Sequence, residues 1–256
     1  LAHAPACVFR DHTTNIERNS VVLEELVRQA TFVDALALAW FFVCWCVYSW
    51  MTEHGRLSGR GLAGISHRYR EDWARRLLLR EVRIMDSALV GNLMQSVSFY
   101  ASTTIYLIVG LTALLGVFDR VVSVAAELPF ASRAGRELAE IKFLLLLGVL
   151  VVAYFKFTWS LRQFNLLCLM LGAAPERDDE VASREAYAQD MAAVNTQGGV
   201  EFNRGIRAYY FGLAALAWFV HPWLFVASTT LVATLLYRRE FHTPAVRALR
   251  PRSFPH

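Results

Sequence analysis

The sequence predicts an all-α, polytopic membrane protein with four to five transmembrane helices and one cytoplasmic amphipathic helix. Three observations carry this. Residues 143–155, FLLLLGVLVVAYF, are apolar on every side, and such a helix belongs in a large core or in lipid. Several other segments look the same, and 256 residues cannot bury them all. The chain is 55% hydrophobic with a mean hydropathy of +0.34, whereas soluble domains lie nearer about 45–50% apolar.

The elements follow in order. Residues 1–30 are mixed polar and read as a poorly ordered extension, with a short amphipathic helix at 21–30. The chain opens on Leu, so this stretch reads as a fragment edge or as residues from an upstream frame. It holds no apolar core of a cleavable signal peptide. A lipid-crossing helix needs about 20 mostly apolar residues. Residues 31–51, 96–118 and 141–161 each supply that, with Asp34 near the start of the first, where hydration is expected, and Lys142 and Lys156 inside the third.

Residues 208–237 are too long for one straight crossing: about 45 Å of helix against a hydrocarbon core of about 30 Å. His221-Pro222 divides them, and Pro breaks helical geometry at and before itself. Trp218 and Trp223 flank the break, as expected at a membrane boundary. A tight hairpin is preferred over one kinked helix. The membrane domain then spans 31–241, followed by a basic tail at 242–256.

Arginine sets orientation. The connection at 52–95 holds eight Arg, 119–140 three, 162–207 five and 238–256 five. The positive-inside rule places the first and third connections in the cytoplasm, the N-terminus outside and, with the hairpin, the C-terminus inside. Residues 69–95 carry Trp73, Leu77, Leu78, Val82, Met85 and Leu89 at helical spacing. They read as one continuous helix on the inner leaflet, with Arg75, Arg76, Arg80 and Arg83 as lipid-surface contacts. The competing reading packs this helix on the bundle. In the other connection, Pro175 with the acidic run to Glu180 reads as a helix start, and Gly198-Gly199 as its break.

Little points to chemistry. Residues 59–64 match G-x-G-x-x-G, but the dinucleotide motif needs a preceding strand, so this is a flexible linker. The seven His form no paired-ligand spacing, and the four Cys form neither a zinc nor a redox motif. No catalytic residue, cofactor or metal is assigned. The net charge of +4 rests on 24 Arg against 2 Lys. The arginines are spread along the connections, a coding bias rather than a nucleic-acid patch. What remains is polar residues at membrane depth. Lys156 snorkels to the interface or pairs with polar groups of the second crossing, and Asn92 and Gln95 enter from the same side. His221 marks the hairpin tip.

Residues 77–105 (LLLREVRIMDSALVGNLMQSVSFYASTTI), 154–165 (YFKFTWSLRQFN) and 202–225 (FNRGIRAYYFGLAALAWFVHPWLF), closing with LYRREF at 236–241, resemble the family catalogued as domain of unknown function 599. The resemblance covers residues 32 to 241. It implies a multi-pass membrane protein of the kind found in bacteria and plants, here in the cytoplasmic membrane, and carries over no catalytic residues. Three functions are open. The chain is a non-catalytic protein binding lipid or a membrane protein partner, which includes a homo-oligomer. Alternatively it is a small transporter or channel built around Lys156, or a membrane enzyme acting on a lipid or quinone through His221.

Overall fold

The computed structural model describes residues 32–53, 61–117, 136–176 and 180–243. The extension at 1–30 and most of the tail at 242–256 lie outside the described residues. Within them the chain is helical and has no strand. The helices are α1 (Phe32–Glu53), α2 (Leu62–Leu78), α3 (Ile84–Gly116), α4 (Arg136–Gly172), α5 (Val181–Leu216) and α6 (Pro222–Phe241), with a 3-10 turn at Ala217–Phe219. Three are long and apolar enough to cross a membrane: α1, α3 and residues Leu138–Gly172 of α4. That is fewer than the four to five expected. The apolar half of α5 continues directly from Glu201, Arg204 and Arg207, and the 3-10 turn and His221 separate it from α6.

Several boundaries differ from expectation. Helix α3 begins at Ile84 and α4 ends at Gly172, so both run about 50–55 Å, well beyond a hydrocarbon core. Residues 69–95 are two helices, not one. The chain leaves α2 at Leu78 because Arg80 folds back onto Asp86, in the first turn of α3, with Nη1 at 2.5 Å from Oδ1. The Trp73 indole N–H donates to the same oxygen at 3.0 Å, and Asp86 is fully buried. A carboxylate at that helix start is also favoured by the helix dipole. The linker expected at 59–64 has already become helix at Leu62, and the helix expected from Pro175 begins only at Val181.

Nor does Gly198-Gly199 break α5. These glycines are packing positions. A methyl group on Gly198 would sit 3.0 Å from the Phe164 ring, and one on Gly205 would sit 2.5 Å from the Phe157 ring. The pairs are seven residues apart on each helix and run in opposite directions, so α4 and α5 are antiparallel with phenylalanines set into glycine notches. Gly212 against Val149 continues the row. Helices α5 and α6 form a hairpin: Ser228 Oγ donates to the Ala214 carbonyl near the tip, and Arg239 donates to the Tyr210 hydroxyl near the base.

Helix α5 is the axis of the bundle, touching α1, α2, α4 and α6. Its half nearest the α5–α6 turn is sealed by rings. Phe41 of α1 meets Phe211 and Phe225 at 5.6 and 5.3 Å between centroids, Trp45 stacks on Phe211, and Trp218 stacks on Phe225. Phe41, Phe157, Phe211 and Phe225 are fully buried. Each such ring contributes a large apolar area beyond the pairing geometry itself.

Candidate functional site

On α5, residues 197, 201 and 204 follow helical spacing and share one face. That face also holds Gly198 and Gly205, so Glu201 is buried between α4 and α5 at 3% exposure. Three groups compensate it. Arg204 Nη1 bonds to Oε1, Gln197 Nε2 donates to the same oxygen at 3.4 Å, and Lys156 Nζ from α4 lies 3.1 Å from Oε2. The lysine approaches off the hydrogen-bond direction, so the contact is an ion pair. Arg204 also reaches Glu53 at the last turn of α1, at 2.7 Å. Arg207 donates to the Thr52 hydroxyl at 2.7 Å, lies 3.5 Å from Glu53 and covers the Tyr48 ring.

The result is a charged layer where α1 ends. A 510 Å3 cavity with Thr52, His67, Asn203, Arg239 and Glu240 in its walls lies on one side of it, and a 230 Å3 cavity with Trp45 and Lys156 on the other. Glu53, Arg204 and Arg207 face both.

A third cavity, of 520 Å3, lies between α2, α3 and α5. Its walls are mostly apolar, with Trp73, Leu93, Phe164 and Phe202 among them, and Arg70, Asn92, Asn195 and Asn203 add polar groups. The Arg70 guanidinium rests on the α5 backbone, because a methyl group on Gly199 would stand 2.4 Å from its Nη2. Burial pushes this guanidinium below the usual arginine range.

The end of the bundle at the α5–α6 turn holds a different cluster. Asp34 and Lys142 are 2% and 3% exposed, with Nζ and Oδ1 3.9 Å apart. The Trp218 indole N–H donates to Asp34 at 2.5 Å, and Lys142 donates to the Trp218 carbonyl at 2.9 Å. Asp34 is therefore not hydrated. Trp218, 1% exposed, is no boundary anchor, whereas Trp223 is 61% exposed. The reason is the hairpin: its tip folds over α1 and α4, and Lys142 takes up a carbonyl that the end of α5 leaves unpaired.

The polar residues singled out from sequence are dispersed. Lys156 joins the charged layer through Glu201 of α5, not through the second crossing. Asn92 lines the 520 Å3 cavity, Gln95 is exposed on α3, and His221 is the N-cap of α6, its Nδ1 accepting from Trp223 N–H at 3.2 Å. Of the four arginines, Arg75 binds Glu185 at 2.9 Å, Arg80 binds Asp86, and Arg83 donates to the Ala174 and Pro175 carbonyls beyond α4. Arg76 is exposed.

Sequence reasoning missed Glu201, Glu53 and Arg70. The seven-residue spacing of Gly198, Gly205 and Gly212 was the available signal for Glu201, since it marks the buried face. Among the described residues no group of three His, Cys, Asp or Glu converges to hold a metal.

Comparison with curated proteins and with solved structures gives no match. Residues 36–245 match the family described as a protein of unknown function, DUF599. With long apolar helices around a glycine-notched axis, and most of its length matched, the chain belongs to that family.

Proposed function

We propose that this chain is a non-catalytic, multi-pass protein of the cytoplasmic membrane that binds membrane lipid at its inner end. The observation that supports it best is where the cavities lie. The three cavities with charged side chains in their walls sit at or below the charged layer, while the core above is closed by the fully buried rings of Phe41, Phe211 and Phe225. A transport path would need polar lining across that region. The α5–α6 hairpin enters the membrane as the fourth and fifth crossings, with its tip at the outer face. The N-terminus is outside and the C-terminus inside, because the Arg-rich connections belong in the cytoplasm.

Purification in mild detergent followed by lipid mass spectrometry tests the binding. Retained lipid in fixed stoichiometry is expected. Solute flux into vesicles carrying the protein, above that of empty vesicles, would replace this reading with the transporter. Cysteine labelling at Ser253 tests topology, and labelling from outside would reject five crossings.

A further inference from the structure

Arg70 is one of the inner-end arginines without a carboxylate, and it stands in a cavity wall. Arg75, Arg80, Arg204 and Arg207 each meet a carboxylate. Among the described residues no carboxylate, carbonyl or hydroxyl is bonded to Arg70, although it is one of the more enclosed guanidinium groups. The cavity it faces offers neutral amide donors, Asn92, Asn195 and Asn203, and no acid. A partly desolvated cation costs free energy unless an anion or hydrogen-bond acceptors compensate it. A cation beside amide donors suits an oxyanion, to which guanidinium bonds in a planar fork.

Two further observations specify the rest of the ligand. The cavity walls on α3 include the half-exposed Leu89 and Leu93, at 49% and 44% exposure, so the site opens along an apolar flank. Higher on the same sides of α3 and α5, Tyr106, Leu107, Gly110, Leu213 and Leu216 line an apolar cavity of 430 Å3. Ser96 and Tyr106 are ten residues apart, about 15 Å along a helix. That is half of a hydrocarbon core of about 30 Å, the depth one acyl chain occupies.

We propose that the cavity between α2, α3 and α5 binds the anionic headgroup of a membrane amphiphile, a phosphate or carboxylate held by Arg70 with Asn92, Asn195 and Asn203, with its chain along the α3–α5 groove. This rests on the lipid-binding reading and gives it a site and a ligand class. Gly199 is part of the site, because only a residue without a side chain lets the guanidinium lie on α5.

The full chain, purified in a neutral detergent, is titrated with micelles carrying phosphatidylglycerol, phosphatidylcholine or oleate, and separately with inorganic phosphate. Binding is read by native mass spectrometry and by the rise in Tm. One bound phosphatidylglycerol or oleate and a raised Tm are expected for the wild type, with phosphatidylcholine and inorganic phosphate having little effect. Arg70→Leu should bind about tenfold more weakly, the effect of one charge-assisted contact, and its lipid-free Tm should be equal or higher. Gly199→Ala should keep or raise the lipid-free Tm while losing most of the lipid-induced shift, because the methyl group displaces the guanidinium. Arg70→Lys should restore part of it.

Equal response to phosphatidylcholine would overturn the anion site. A response to inorganic phosphate as large as to phosphatidylglycerol would overturn the amphiphile. Wild type that retains no lipid would remove the general reading as well. Retained lipid that neither variant weakens would remove only this site, as would lipid-free instability of both variants, which would make Arg70 structural.

Discussion

The two ends of the bundle solve the same problem, charge next to lipid, in opposite ways. At the end beside the α5–α6 turn, Asp34 and Lys142 have one ionic partner each, and both are almost inaccessible. Toward the opposite end, Glu201, Glu53, Lys156, Arg204 and Arg207 share partners, and Lys156 is 37% exposed. A lone buried pair is all-or-none, because removing either member strands the other away from water. A shared, partly wetted layer is redundant, so the loss of one member is absorbed by the rest.

The sharpest test is at the Asp34–Lys142 pair. Asp34→Asn or Lys142→Met alone should cost about 3–5 kcal/mol, seen as a large fall in the thermal stability of detergent-solubilised protein. The double variant should recover part of that loss. Single variants as stable as the wild type would break the comparison.

Next comes the frame that holds the charged layer. Gly205→Ala should lose about 1–3 kcal/mol from overpacking against Phe157, offset by a gain of up to about 1 kcal/mol in helix propensity. Gly212→Ala, facing Val149 at 3.3 Å, should be close to neutral. If Gly205→Ala gains stability, the notch is not tight.

Lys156→Met should cost about 1 kcal/mol, because the lysine is partly solvated and Arg204 still holds the buried Glu201. Adding Arg204→Gln should then cost more than the two single changes together, as Glu201 loses both cations. Strict additivity in that double-mutant cycle would argue against a shared layer.

The smallest effect is at the surface pair of Arg75 and Glu185. Its hydrogen bond to Arg75 holds the Glu185 carboxyl below the ordinary value of 4.5. The folded state therefore favours the ionised form. The pair contributes above pH 4.5, and its contribution is lost as pH falls through the depressed value. A pH series of Tm should show wild type slightly above Arg75→Gln near neutrality and the gap closing in acid. A gap that widens in acid would reject the pairing.

How much of this was legible varied with the physics involved. The three spans were plain in residues 31–51, 96–118 and 141–161, because all-round apolarity needs no knowledge of neighbours. The length of α3 and α4 was not, because Asn92, Gln95, Arg162 and Asn165 end an apolar run without ending a helix. Glycine at 198 and 199 reads as a breaker by propensity, and only the Phe164 ring and the Arg70 guanidinium turn it into a packing choice. Lys156 was correctly conspicuous, yet its partner sits 45 residues away on a helix read as a broken cytoplasmic connection.

By itself, then, the sequence determined the class of the molecule: helical, membrane-embedded, broken at His221-Pro222 and rich in arginine on its connections. Those are local properties of apolarity, charge and backbone freedom. Only the tertiary structure decided which charges meet, that Asp34 is dry and that Arg70 stands without an acid. Pairing depends on the register between helices far apart in the chain, and that register is set by how Phe157 and Phe164 fit the glycines of α5.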